Sequence, residues 1–175
     1  EDGTPVELPE GVLVLTCGVD TQDDRLEYEV VGWGHYKENW GIKKGVIMGD
    51  PNEPQTWERL DDVTNHKIEF PVFVKPVDSR GSRGQTVYRF ADGKGLTISI
   101  TFVDSGGHKT QSVYKHCRAR LNKRVFAIKG QGGDGVPYTK PPSKVNIVVN
   151  GVVVAKTWLY TIGVNAAKAD LLHGA

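Results

Sequence analysis

The run from Val12 to Asp20, VLVLTCGVD, is apolar almost throughout and then stops on a carboxylate. Such a run suits a central strand covered on both faces. Its surroundings constrain it further. Only TQDD separates it from Arg25 to Gly34, where Leu26, Tyr28 and Val30 alternate with Glu27 and Glu29 as on a half-exposed strand. HYKEN then leads into a third, less cleanly patterned strand, Trp40 to Met48. Connections this short make hairpins, so the three strands are expected to be antiparallel neighbours.

A helix is expected from about Pro54 to Val63, with Pro54 near its start and Trp57 and Leu60 on its inner stripe. From Ile98 to Asp104, Ile98, Ile100 and Phe102 share the face that Asp104 continues. The Gly-rich turn SGGHKT follows, with Thr110 expected to cap a helix carrying Val113, Cys117 and Leu121. Val125 to Lys129 reads as a short strand and KGQGGDG as a loop. Asn150 and Gly151 predict a tight hairpin between Val145 to Val149 and Val152 to Tyr160, and Val164 to Leu172 a last helix. Ser79 to Gly95 has no clear assignment beyond a surface hairpin turned at ADGKG. Right-handed crossovers place the later strands parallel to the first, on its free side. The result is a mixed α/β sheet in which the first and fourth strands lie side by side.

That topology brings Asp20 and Asp104 together at neighbouring strand ends. A lone Asp at a strand end is ordinary turn chemistry. Two facing carboxylates repel unless a cation lies between them, and their hard oxygens suit Mg²⁺ or Mn²⁺. Two such ions ~3.5–4 Å apart activate water and stabilise the leaving oxygen of a phosphodiester. Asp23 and Asp24 read as solvated turn residues, with Asp24 placed to pair with Arg25. His108 is a candidate for touching a phosphate or the attacking water, or is simply a surface histidine. Gly106 and Gly107 allow close backbone approach, or only satisfy a turn. Lys129 ends an apolar strand, where its ammonium either faces a phosphate or snorkels to water. Arg80, Arg83, Arg89 and Lys94, interleaved with Tyr88 and Phe90, make a candidate DNA-backbone patch.

The 175 residues carry a net charge of +1, so no polybasic tail drives nucleic-acid binding, although a local basic groove is compatible with that balance. Cys17 and Cys117 stand far apart, outside any CxxC pair, and read as reduced thiols rather than zinc ligands. No run approaches the ~18 apolar residues that span a membrane. GxxxxGK[ST] occurs nowhere, so the chain holds no ATP site of that type. The opening EDGTPVELPEG is polar and rich in Pro and Gly, and residues 1–11 are expected to be a linker from an upstream domain.

Four segments, LTCGVDTQDDRLEYEVVGWG, VDSGGHKTQSVYKHCR, RVFAIKGQGG and GVNAAKADLL, resemble in order the motifs of the nuclease domain of lambda-type (GpA) phage terminase large subunits. The resemblance runs from about Val12 to Leu172. It implies an RNase H-like fold with helices on both faces of the sheet, and a metal-dependent endonuclease that cuts concatemeric duplex DNA into genome ends. It also implies Asp20 and Asp104 as metal acids with one or two Mg²⁺ or Mn²⁺ ions, and Lys129 near the site. An upstream ATPase domain, a small terminase subunit and the portal are the implied partners, in the cytoplasm of an infected or lysogenic bacterial host. A third acid from a last helix is part of that pattern. Asp170 is the one acid near the end of this chain, and the third ligand is expected instead beyond Ala175, with residues 12–175 a nuclease domain truncated at its C-terminus. Two other readings fit the same residues: a non-catalytic DNA or portal docking module, and an RNase H-like nuclease of resolvase or transposase type.

Overall fold

A computed structural model describes residues 7–66 and 87–173, and builds them around a seven-stranded sheet in the order β3-β2-β1-β6-β7-β9-β8. Strands β1 (Val14–Thr21), β2 (Arg25–Trp33) and β3 (Asn39–Met48) form the expected antiparallel meander. On the other side of β1, β6 (Ile98–Asp104) pairs in parallel, then β7 (Val125–Gln131) and β9 (Val152–Gly163). Strand β8 (Ser143–Val149) closes the edge as the antiparallel partner of β9. Between these strands run α1 (Pro54–Asp61) and α2 (Thr110–Ala119), and α3 (Val164–His173) follows β9. A two-stranded hairpin, β4 (Tyr88–Arg89) with β5 (Gly95–Leu96), lies apart from the sheet and turns at ADGKG as expected.

The meander and crossovers follow from connection length, as anticipated. The β8–β9 turn does too: Asn150 (φ 49°) and Gly151 (φ 79°) both adopt the left-handed conformation that a two-residue turn between twisted strands requires.

Several local expectations are corrected. Strand β1 is central, yet its residues alternate: Leu15, Cys17 and Val19 are buried, while Val14 is 38% exposed and Gly18 and Asp20 are exposed. Apolar composition therefore concealed a strand with one covered face. Along β6 the better-buried face is Thr101 and Val103, whereas Ile98, Ile100, Phe102 and Asp104 are only partly covered. Lys109, not Thr110, is the N-terminal cap of α2 and makes no side-chain capping bond. The Thr110 hydroxyl lies 2.9 Å from Ser105 O and 2.8 Å from Gly107 O, so it ties the Gly-rich turn together instead. Leu121 falls in a 3₁₀ turn after α2 and is half-buried, leaving Val113 and Cys117 as the helix's core residues on that stripe.

The core lies under α1 and α2. Leu60, Trp57, Val113 and Cys117 from the helices meet Leu15, Leu26, Val30, Val103, Val125 and Ala127 from the sheet. Each such Leu or Val contributes roughly 1.5–3 kcal/mol by leaving water. Trp57 stacks on His116 with ring centroids 4.3 Å apart, and the Asp61 carboxylate grips the Arg120 guanidinium through two bonds, so α1 and α2 are fixed to each other. Both ring nitrogens of buried His116 lack a partner among the described residues, and burial, aided by Arg120, holds its imidazole well below the usual pKa. Burial also raises the Cys17 and Cys117 thiols to about 12, so both are inert thiols rather than nucleophiles or ligands.

Helix α3 lies on the opposite face. A side chain built on Gly130 would meet Val164 at 3.0 Å, and Gly130 has the alternation of Ile128 and Phe126, not of the buried Val125 and Ala127. Within the expected linker, Leu8 is buried and its N–H donates to Arg89 O at 2.8 Å.

Candidate metal and phosphodiester site

Val19 pairs with Val103 in the parallel β1–β6 ladder, so the next residues, Asp20 and Asp104, stand side by side where the strands end. Val19 and Val103 point into the core, and alternation turns both aspartates to the opposite, open face. The proximity expected from connection lengths is thus present in the register.

Each carboxylate has one oriented oxygen. The Gln22 amide donates to Asp20 Oδ2, and the Gly106 N–H donates to Asp104 Oδ1 at 3.0 Å. A Cβ on Gly106 would lie 3.3 Å from that same oxygen, so the missing side chain keeps the approach to Asp104 clear. Among the described residues, no lysine or arginine bonds either aspartate. Adjacent, outward-facing carboxylates with an unhindered approach are a donor set suited to a hard divalent cation. As their side chains stand, no three His, Cys, Asp or Glu residues among those described converge tightly enough to hold one ion.

The turns bordering the pair are tied across the sheet end. His108 Nδ1, on the Gly-rich turn, lies 3.3 Å from both carboxylate oxygens of Asp23, on the β1–β2 turn. Asp24 pairs with Arg25 at 2.9 Å, the association expected of it. Behind them Lys109 donates to Asp50 at 2.7 Å, which holds the Asp50 carboxyl below its usual range and anchors the start of α2 to the loop after β3.

The other candidates are not gathered at the pair. Lys129 is exposed one residue past Ile128, the β7 partner of Asp104, and alternation puts it on the opposite face. Asp170 binds Lys37 Nζ at 3.2 Å. Lys37 follows β2, whose Trp33 pairs with Val14 at the start of β1, so Asp170 reaches the end of the sheet away from Asp20. Arg89 lies on the small hairpin, its guanidinium on Gly93 O at 2.8 Å, and Lys94 pairs with Asp92. Arg80 and Arg83 lie outside the described residues.

Two residues near the pair escaped the sequence reading. Gln22 orients Asp20, and Glu27 is the direct cross-strand partner of Asp20 on β2. Only the hairpin register reveals Glu27, because in the sequence it is one of two glutamates alternating along an exposed face.

The family described as terminase large subunit gpA, endonuclease domain, matches residues 1–93 and 85–175, essentially the whole chain. The chain belongs to this family. The terminase large subunit of Escherichia phage lambda is 32% identical over 166 residues, covering 95% of this chain and 22% of the relative. That of Enterobacteria phage P21 is 32% identical over 164 residues, covering 94% and 21%. The gpA endonuclease-domain chain therefore spans about a fifth of the length of these curated relatives. No solved structure matches it. Among the described residues of this gpA-family chain, no helix is long and apolar enough to cross a membrane.

Proposed function

We propose that the chain is a metal-dependent DNA endonuclease with an RNase H-like arrangement, in which Asp20 and Asp104 hold one or two Mg²⁺ or Mn²⁺ ions. The observation that carries this reading is the register of β1 with β6, which sets two oriented aspartates side by side on the open face of a nuclease-family sheet. The parallel β6 beside the β1–β3 meander, with helices on both faces, supports the RNase H-like assignment. Duplex DNA is the proposed substrate. The cutting of concatemers into genome ends, the ATPase on the same polypeptide, the small terminase subunit and the portal enter as proposals from the terminase relatives.

Bound there, a divalent cation offsets the phosphodiester charge and makes a nearby water more acidic. Asp20 and Asp104 fix its position, and Gln22 and the Gly106 N–H hold one oxygen of each carboxylate, leaving the other free to ligate. Gly106 and Gly107 keep the turn low, so a DNA backbone can approach the strand ends without meeting a side chain there. His108 and Asp23 brace the two turns.

The test is nicking of supercoiled plasmid by the purified chain with Mn²⁺ or Mg²⁺, compared with Asp20→Asn and Asp104→Asn. Metal-dependent nicking lost in both variants supports the reading. Tight DNA binding without nicking under any divalent cation would favour a docking module, and a strong preference for branched over linear duplex would favour a resolvase-type enzyme.

A further inference from the structure

We propose that Glu27 is the third carboxylate of the ion site, held by Arg25 in the metal-free chain and released to the ion when a divalent cation binds. The proposal rests on the reading of Asp20 and Asp104 as ion ligands and adds a residue from β2, rather than from a terminal helix.

Asp20 is the shared neighbour. Its partner across the antiparallel ladder is Glu27, while Asp104 adjoins it across the parallel one. Glu27 has the alternation opposite to buried Leu26 and Tyr28, so it lies on the same face as both aspartates. Three carboxylates thus cross β2, β1 and β6 in one row. Directly opposed like charges in a strand pair are destabilising, and opposed Cβ atoms lie only ~4.5–5.5 Å apart. Such a row implies a cation.

Arg25 supplies that charge to one end of the row. Its Nε donates to Glu27 Oε1 at 2.7 Å, and its Nη1 to Asp24 Oδ1 at 2.9 Å. Glu27 is therefore drawn along its own strand, which explains why three acids do not converge as the side chains stand. If Glu27 lets go, Arg25 keeps Asp24, so the guanidinium is not stranded. The glutamate side chain is one methylene longer than its neighbours, giving it the reach to turn inward over Asp20. Asp170 does not compete for the place, because it is bound to Lys37 at the other end of the sheet.

The test is Mn²⁺ binding by the full chain at neutral pH and about 0.15 M salt, read from the paramagnetic resonance of free Mn²⁺. Glu27→Gln is compared with wild type, Asp104→Asn and Glu29→Gln. Glu29 shares the strand and face of Glu27 but stands opposite Gly18, so its variant removes the same charge one step further from the acids. Expected are loss of uptake in Asp104→Asn, weakening of about tenfold in Glu27→Gln, and a change within about twofold in Glu29→Gln. Glu27→Gln binding as tightly as wild type, while Asp104→Asn does not bind, would overturn the role of Glu27 and leave the aspartate pair standing. Equal weakening in Glu27→Gln and Glu29→Gln would overturn it too, by showing a diffuse field effect. A wild-type chain that takes up no Mn²⁺ would sink both readings together.

Discussion

The face of the sheet beneath α1 and α2 is dry and interlocked, with Leu15, Leu60, Val103 and Val113 fully withdrawn from water. The opposite face bears Asp20, Glu27 and Asp104 at one end, and beyond them a half-open aromatic cluster in which Phe126 lies 5.2 Å from Tyr160 and 6.3 Å from Phe102. The same strands build both faces, so each residue's parity decides whether it serves stability or chemistry. Acids crowded together are tolerable here because the helices behind them hold the strands.

The comparison breaks most clearly at Asp104. Asp104→Asn should lower metal-supported DNA cutting by on the order of a thousandfold, since the charge effect at stake is worth several kcal/mol. Its urea midpoint should stay near that of wild type. A large loss of stability would mean that the open face is structural after all. On the dry face, Leu60→Ala should cost about 2–5 kcal/mol in urea denaturation. Val46→Ala, at a 53% exposed position, should stay within about 0.5 kcal/mol.

A smaller effect separates the faces by pH. His116 is buried neutral, with its pKa depressed, so the unfolded chain takes up a proton first as the solution is acidified. Stability is full above about pH 6.5 and falls below it, by at most about 1.4 kcal/mol per pH unit, until the folded imidazole also protonates. His116→Phe, which keeps the stacking surface against Trp57, should flatten the stability profile over pH 5 to 6.5. An unchanged slope would place its origin elsewhere. The smallest effect is expected at Asp170: Asp170→Asn breaks an exposed pair with Lys37 and should change stability by less than about 0.5 kcal/mol. It should leave cutting intact, and a loss comparable with that of Asp104→Asn would contradict its placement here.

The strand order was legible because loop lengths dictate it: TQDD and HYKEN permit only hairpins, and longer crossovers forced β6 beside β1. The juxtaposition of Asp20 with Asp104 came from the same reasoning. What stayed hidden depended on the third dimension. Leu13 and Val14 look like core residues but are exposed, because apolar composition does not say whether a second layer covers the strand. Thr110 has the chemistry of a cap, yet two nearby carbonyls compete for its hydroxyl. Lys129 was placed near the acids by its distance along the strand, and only parity puts it on the other face. Glu27 needed the register, which a count of charges along β2 does not supply.

Pairing β1 with β6 in parallel also governs how the molecule must fold. The β1–β2, β2–β3 and β8–β9 hairpins close short loops, whereas the ladder joining Val19 to Val103 waits for a much longer stretch of chain to come back. Loop-closure entropy makes such non-local pairing late and slow. Folding intermediates are therefore expected to contain the meander while Asp20 and Asp104 are still apart. On this account the two aspartates become neighbours only as the chain commits to its native state, and partly folded chains carry no assembled cutting centre.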